Sequence, residues 1–276
     1  MMRSPLPLAA LLIAQFLWSA IAAGHGTHEE RVELYTAKLA REPGDVNARH
    51  ELALAYVENE EWEHALEQLD LASAMLKPDS GLDFSVTRAR ALAIGGKTEE
   101  AREVLDRFLV KNPADAPARL ERARIFAALS LPSESLTDYR LAMANFTKPD
   151  ADIYLEVATA LGRQGENEEA ISLVEKGISA QGNEPSLIQM ALELETAAGK
   201  YDAALSRLAI LEKQAPRPEP WMARRAELLA KAGRAEESRA AWTALKQHLS
   251  SLPNLERGTP DFLALSAKAD AALAAH

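Results

Sequence analysis

A small side chain recurs along this chain at a nearly fixed interval: Ala65, Ala101, Ser135, Ala170, Ala204 and Ser238, with steps of 36, 34, 35, 34 and 34 residues. A second series runs ahead of it at Ala53, Ala89, Ala123, Ala158, Ala191 and Ala226. Between Val46 and Pro78, Leu52, Ala53 and Tyr56 mark one face of a helix, and Ala65, Leu69 and Ala72 mark one face of the next. Small residues let two backbones approach closely. Prolines punctuate the pattern at Pro43, Pro78, Pro113, Pro149, Pro185, Pro216 and Pro253, where a helix cannot continue. A lone helical hairpin cannot bury its own apolar stripe, so units of this period must stack against one another.

The series resembles the tetratricopeptide repeat, a 34-residue helix–turn–helix marked by a large residue, Leu-Gly/Ala, Tyr, Ala, an aromatic and Pro. The resemblance covers roughly residues 46 to 253 and implies an all-α solenoid of six repeats, at 46–79, 82–115, 116–149, 151–184, 185–218 and 219–252. Gly96, Gly165, Gly199 and Gly233 fall in the turns between paired helices, where positive φ is needed. The third repeat carries Leu131-Pro132 in place of the glycine. In the fifth, Ala191 falls one place early against Ala204, which predicts a shifted first helix or a turn longer by one residue.

Both ends depart from the period. Residues 1–22 have the features of a secretory signal peptide: Arg3, an apolar run from Leu6 to Ile21, and the small-x-small sequence Ala20-Ile21-Ala22. The expectation is an exported chain, periplasmic or extracellular, starting at Ala23 or Gly24 and forming one solenoid over 23–276. An uncleaved segment would instead tether it to a membrane as an assembly factor. A helix over 27–42 opens on a capping box, Thr27 with Glu30, and carries Val32, Tyr35 and Leu39 on one face. It has the character of a second helix without its first. At the other end, Thr259-Pro260 begins a capping helix over 259–274 with Phe262, Leu265, Ala269 and Leu273 on one face.

Composition narrows the function. With 31 basic and 41 acidic side chains the chain is acidic, which argues against nucleic acid, and no cysteine is available for disulfides, thiolate zinc sites or nucleophilic catalysis. No nucleophile–base pair, phosphate loop or metal-ligand cluster stands out, so neither an enzyme nor a cofactor is expected and no catalytic residue is assigned. The acidic pairs Glu60-Glu61, Glu99-Glu100, Glu168-Glu169 and Glu236-Glu237 are expected to open second helices, favouring the helix dipole. Arg88, Arg122 and Arg225, just before the small alanine, are expected to pack their stems and pair with neighbouring carboxylates. One weak metal candidate is His25, because cleavage after Ala22 would leave Ala23-Gly24-His25, a tripeptide able to wrap Cu(II) or Ni(II).

The family lines a concave groove with the first helices of successive repeats and takes extended or helical peptides there. Carried over by register, the groove holds Val86, Arg90 and Ala93, then Leu120, Arg124 and Ala127, then Leu155, Thr159, Gly162 and Arg163. Apolar residues interleaved with arginine suit a peptide offering hydrophobic side chains and a carboxylate. The lysine–asparagine set of members that clamp chaperone C-termini is replaced here by His50, Leu54, Val86 and Arg90. The resemblance therefore implies a scaffold for a protein or peptide partner. Arg90 and Arg124, on adjacent repeats, are expected to repel each other until a ligand carboxylate lies between them. On that reading, replacing both with Glu costs little stability.

Overall fold

The computed structural model describes residues 27–77, 80–253 and 258–274. The proposed leader, Ala23-Gly24-His25 and Pro78 lie outside the described residues. Those described form fourteen α-helices and no strand. The chain divides into two compact units, the first ending at Phe146 and the second running from Thr147. This boundary falls in the connection after the second helix of the third repeat, and the sequence period runs through it without a mark.

The first unit holds α1 (His28–Arg41), α2 (Val46–Glu58), α3 (Trp62–Ala74), α4 (Ser85–Ile94), α5 (Thr98–Lys111), α6 (Ala116–Ala128) and α7 (Pro132–Asn145). Each first helix packs on its own second helix, α2 on α3, α4 on α5 and α6 on α7. First helices of neighbouring repeats also touch directly, α2 on α4 and α4 on α6. Ala53 and Ala65, Ala89 and Ala101 are fully buried at these crossings. In the third repeat the small partner is Ser135, whose hydroxyl donates to the Ala123 carbonyl at 2.8 Å. A serine is tolerated in this core because its one polar group finds a backbone acceptor. Leu92, Leu105, Leu109 and Ile125 close the apolar layer between the second and third repeats.

The second unit repeats the scheme with α8 (Ala151–Arg163), α9 (Asn167–Gln181), α10 (Pro185–Ala197), α11 (Tyr201–Gln214), α12 (Glu219–Lys231), α13 (Ala235–Ser251) and α14 (Pro260–Ala274). Ser238 donates to the Ala226 carbonyl at 2.8 Å, as its counterpart Ser135 does to Ala123. The last helix, α14, lays Phe262 and Ala269 on Trp242, Leu245 and Leu249 of α13. Aspartates cap the first helices of three repeats across the chain, with Asp45, Asp115 and Asp150 accepting from the amides of Ala48, Ala118 and Ile153. Each such cap is worth about 1 kcal/mol.

All six turns close in the same way. The amides of Glu61, Lys97, Leu131, Glu166, Lys200 and Arg234 donate back to the carbonyls of Tyr56, Leu92, Phe126, Leu161, Glu195 and Leu229. That bond needs a left-handed residue just before the donor. Gly96, Gly165, Gly199 and Gly233 supply it as expected, with φ between 72° and 81°. In the third repeat the position belongs to Ser130 (φ 59°), and Leu131-Pro132 begins the next helix instead of replacing the glycine. In the first it belongs to Glu60 (φ 62°). Glu60-Glu61 therefore lie in the turn, whereas the other three acidic pairs open their helices as expected.

The fifth repeat also differs from its expectation. Its turn has the same length as the others, and Gly199 precedes Ala204 by the same five residues that separate Gly96 from Ala101. Leu192, not Ala191, occupies the small-residue position of α10, and it is 2% exposed among Ile188, Leu205, Leu208 and Leu228. The helix is not shifted; the core there is made of larger side chains.

Candidate functional site: the first-helix face

In the first unit the candidate residues come from α4 and α6. Arg90 points Nε and Nη2 at Glu121 Oε2, both at 3.0 Å, and Arg124 Nη1 reaches the same oxygen at 3.0 Å. The Glu121 side chain is 5% exposed, while those of Arg90 and Arg124 are 41% and 37% exposed. The carboxylate expected from a ligand is therefore already present within the fold. Two guanidinium groups meet on one carboxylate oxygen.

Glu121 is the residue that register reasoning missed. It stands three places before Arg124, a helix-neighbour spacing for an ion pair, and that was the available signal. Its position also changes the expected cost of removing the arginines. Without them a buried carboxylate stands unpaired, so the double replacement by Glu is a severe core change rather than a mild surface one.

The remaining candidates separate by burial. Leu120 is 6% exposed and packs between helices, so it offers no groove surface. Val86 is half-buried against the cluster of Ala89, Leu92 and Ile125. In the second unit Leu155 is half-buried and Arg163, in the last turn of α8, is exposed. Beside Val86, Thr87 accepts or donates a 2.8 Å bond with His50 Nε2, and the His50 ring lies 4.7 Å from that of Phe84. Burial holds the His50 imidazole below its ordinary value, against the nearby Glu51 charge.

The arginines before the small alanine are structural, as expected. Arg88 pairs with Asp70 at 2.7 Å and Arg225 grips Glu212 through two bonds. Arg122 Nε lies 2.6 Å from Asp138, a carboxylate with 2% side-chain exposure that Arg119 also holds at 2.6 Å. Arg122 Nη1 reaches Asp106 at 2.7 Å, tying α5, α6 and α7 together.

The second unit carries a buried acid with a poorer partner. Glu195 stands where the other repeats have Tyr56, Leu92, Phe126, Leu161 and Leu229. Its side chain is 3% exposed, and Oε2 has no partner. Arg207 Nε and Nη2 approach Oε1 only to 3.3 Å, long for a charge-assisted bond. Burial pushes this carboxyl up to about 7, against the pull of the Lys200 charge. Among the described residues no group of three or more His, Asp or Glu side chains is placed to hold a metal ion. Nor is any described helix long and apolar enough to cross a membrane.

A sequence model of the tetratricopeptide repeat matches residues 82–125, which span α4, α5 and most of α6. No curated protein matches the chain by sequence. Among solved structures, the fold is similar to that of pilF from Pseudomonas aeruginosa, at 14% identity and a TM-score of 0.55, over 83% of this chain and 99% of that one. It is also similar to TTC0263, a thermophilic tetratricopeptide-repeat protein of Thermus thermophilus, at 19% identity and a TM-score of 0.54, over 65% of this chain and 95% of the other.

Proposed function

We propose that this tetratricopeptide-repeat protein is a non-catalytic, exported scaffold that captures a protein or peptide partner on the first helices of its repeats. The observation that carries this reading is the Arg90–Glu121–Arg124 cluster. It places two partly exposed guanidinium groups on a fixed, buried carboxylate next to the half-buried Val86. Fixing the arginines in advance lowers the entropy lost when a partner binds. The outer N–H groups of Arg90 suit an acidic side chain or a terminal carboxylate, with an apolar neighbour for Val86. The net charge of −10 disfavours nucleic acid.

Export rests on Arg3, the apolar run and Ala20-Ile21-Ala22, which suit removal of a leader of 22 or 23 residues. Intact mass of the chain recovered outside the cytoplasm tests this, with loss of that leader expected. A full-length chain held in the membrane fraction would overturn export as a free scaffold. The binding face is tested by affinity capture with and without the arginine cluster, in a variant that keeps the fold.

A further inference from the structure

Several polar contacts hold the amino-terminal helix on the first repeat. None of the side chains of α1 is fully buried. Its attachment near the first turn runs through His28, whose two ring nitrogens both face acceptors. Nδ1 lies 2.9 Å from the Ala55 carbonyl and Nε2 lies 3.3 Å from Glu61 Oε1. A neutral imidazole has one N–H and can satisfy only one of these; the imidazolium donates to both. His64 Nδ1 lies 3.0 Å from the other oxygen, Glu61 Oε2, and the His64 ring packs 5.2 Å from Tyr56. Glu61 thus sits between two imidazoles. Asn59, then His64, hold its carboxyl below its ordinary 4.5, so it stays ionised in mild acid.

We infer that α1 is a pH-regulated cover on the first repeat, clamped when a protonated His28 donates to both the Ala55 carbonyl and Glu61 and loosened when the ring is neutral. The other charged and titratable groups here are Glu29, Arg31 and Glu33 on α1, Glu58 and Tyr56 on α2, Glu60 in the turn, and Glu67 on α3. Arg31 pairs with Glu58 and Lys38 with Asp45, and these contacts still hold α1 when the clamp is off. The clamp forms one wall of an open depression of about 580 Å³, lined by Val32, Thr36, Ala40 and Tyr56, so releasing α1 dissolves that surface and bares the outer side of α2. His50 responds in the opposite sense at a different place, the contact with Thr87 of the second repeat.

The test is amide hydrogen exchange of residues 31–41 at pH 5.5 and pH 8, corrected for the intrinsic pH dependence of exchange, with chelator present. The two conditions lie on either side of the ordinary imidazole range. Protection of α1 is expected to fall by about threefold on going to pH 8, the scale of one partly exposed ion pair. In Glu61→Gln and in His28→Gln the difference is expected to flatten, while exchange in α5 stays unchanged in both. Equal protection of α1 at the two pH values in the native chain would overturn the inference. So would a pH response that persists in Glu61→Gln. Protection at pH 8 restored by added zinc instead of acid would also overturn it, by assigning the imidazoles to a metal.

Discussion

Arg90 and Glu121, on the first helices of adjacent repeats, are joined by two guanidinium nitrogens 3.0 Å from one buried carboxylate oxygen. The contact ties α4 to α6 across the repeat boundary. Arg124 completes it from within α6. This cluster is at once a structural tie and the candidate binding surface of the first unit, and those two roles can be separated by mutation.

Replacing Arg90 and Arg124 together with Glu leaves Glu121 buried without a cation and surrounds it with like charge. The expected loss is about 2–3 kcal/mol, at the low end for a broken buried pair because the guanidinium groups are partly exposed. Urea denaturation followed by far-UV circular dichroism reads this directly. A triple change, Arg90→Met with Glu121→Leu and Arg124→Met, removes the charges together and is expected to stay within about 1 kcal/mol of the native chain. If the Glu double mutant melts like the native protein, Glu121 does not depend on these arginines.

Glu195 makes the second unit sensitive to pH. A carboxyl whose folded-state value lies near 7, above the ordinary 4.5, binds its proton more tightly folded than unfolded. The associated stability is present below about 4.5 and is lost as pH rises through 7. Glu195→Gln is therefore expected to raise stability at pH 8 by about 1–2 kcal/mol and to change it little at pH 5. Thermal melts of both chains at the two pH values check this. An equal effect at both would show that Arg207 keeps the carboxylate ionised throughout.

Leu192 fills the place where other repeats carry alanine, and it is enclosed by Ile188, Leu205, Leu208 and Leu228. Leu192→Ala, although it restores the residue common at this position, is expected to cost about 2–4 kcal/mol through lost burial and a residual cavity. A loss under half a kilocalorie in urea unfolding would mean that α10 and α11 close together over the gap.

The repeat architecture was legible because it rests on spacing: two small residues twelve apart, a turn, and a stripe of apolar neighbours. The terminal helices were legible from the Thr27–Glu30 capping box and the apolar face of α14. Spacing alone does not fix every position. Ser130 and Glu60 take the left-handed turn position because the turn's hydrogen bond demands that conformation of whatever residue stands there. Leu192 shows that the small-residue rule is a packing solution that bulkier neighbours can replace. The candidate face was half legible, since register placed Arg90 and Arg124 correctly on adjacent first helices. Register alone could not show that Glu121 turns inward to join them, nor that Leu120 is buried, because both depend on packing between repeats. The division after Phe146 left no trace in the period at all.

Comparative capture decides whether the Arg90–Arg124 face binds the partner. The native chain and the Arg90→Met, Glu121→Leu, Arg124→Met variant, matched in helix content and melting, are used as baits against the same envelope or medium fraction and read by quantitative mass spectrometry. The principal partner of the native chain is expected to be lost from the variant. Recovery of that partner in equal amount by the folded variant would contradict it and move the binding surface away from these helices.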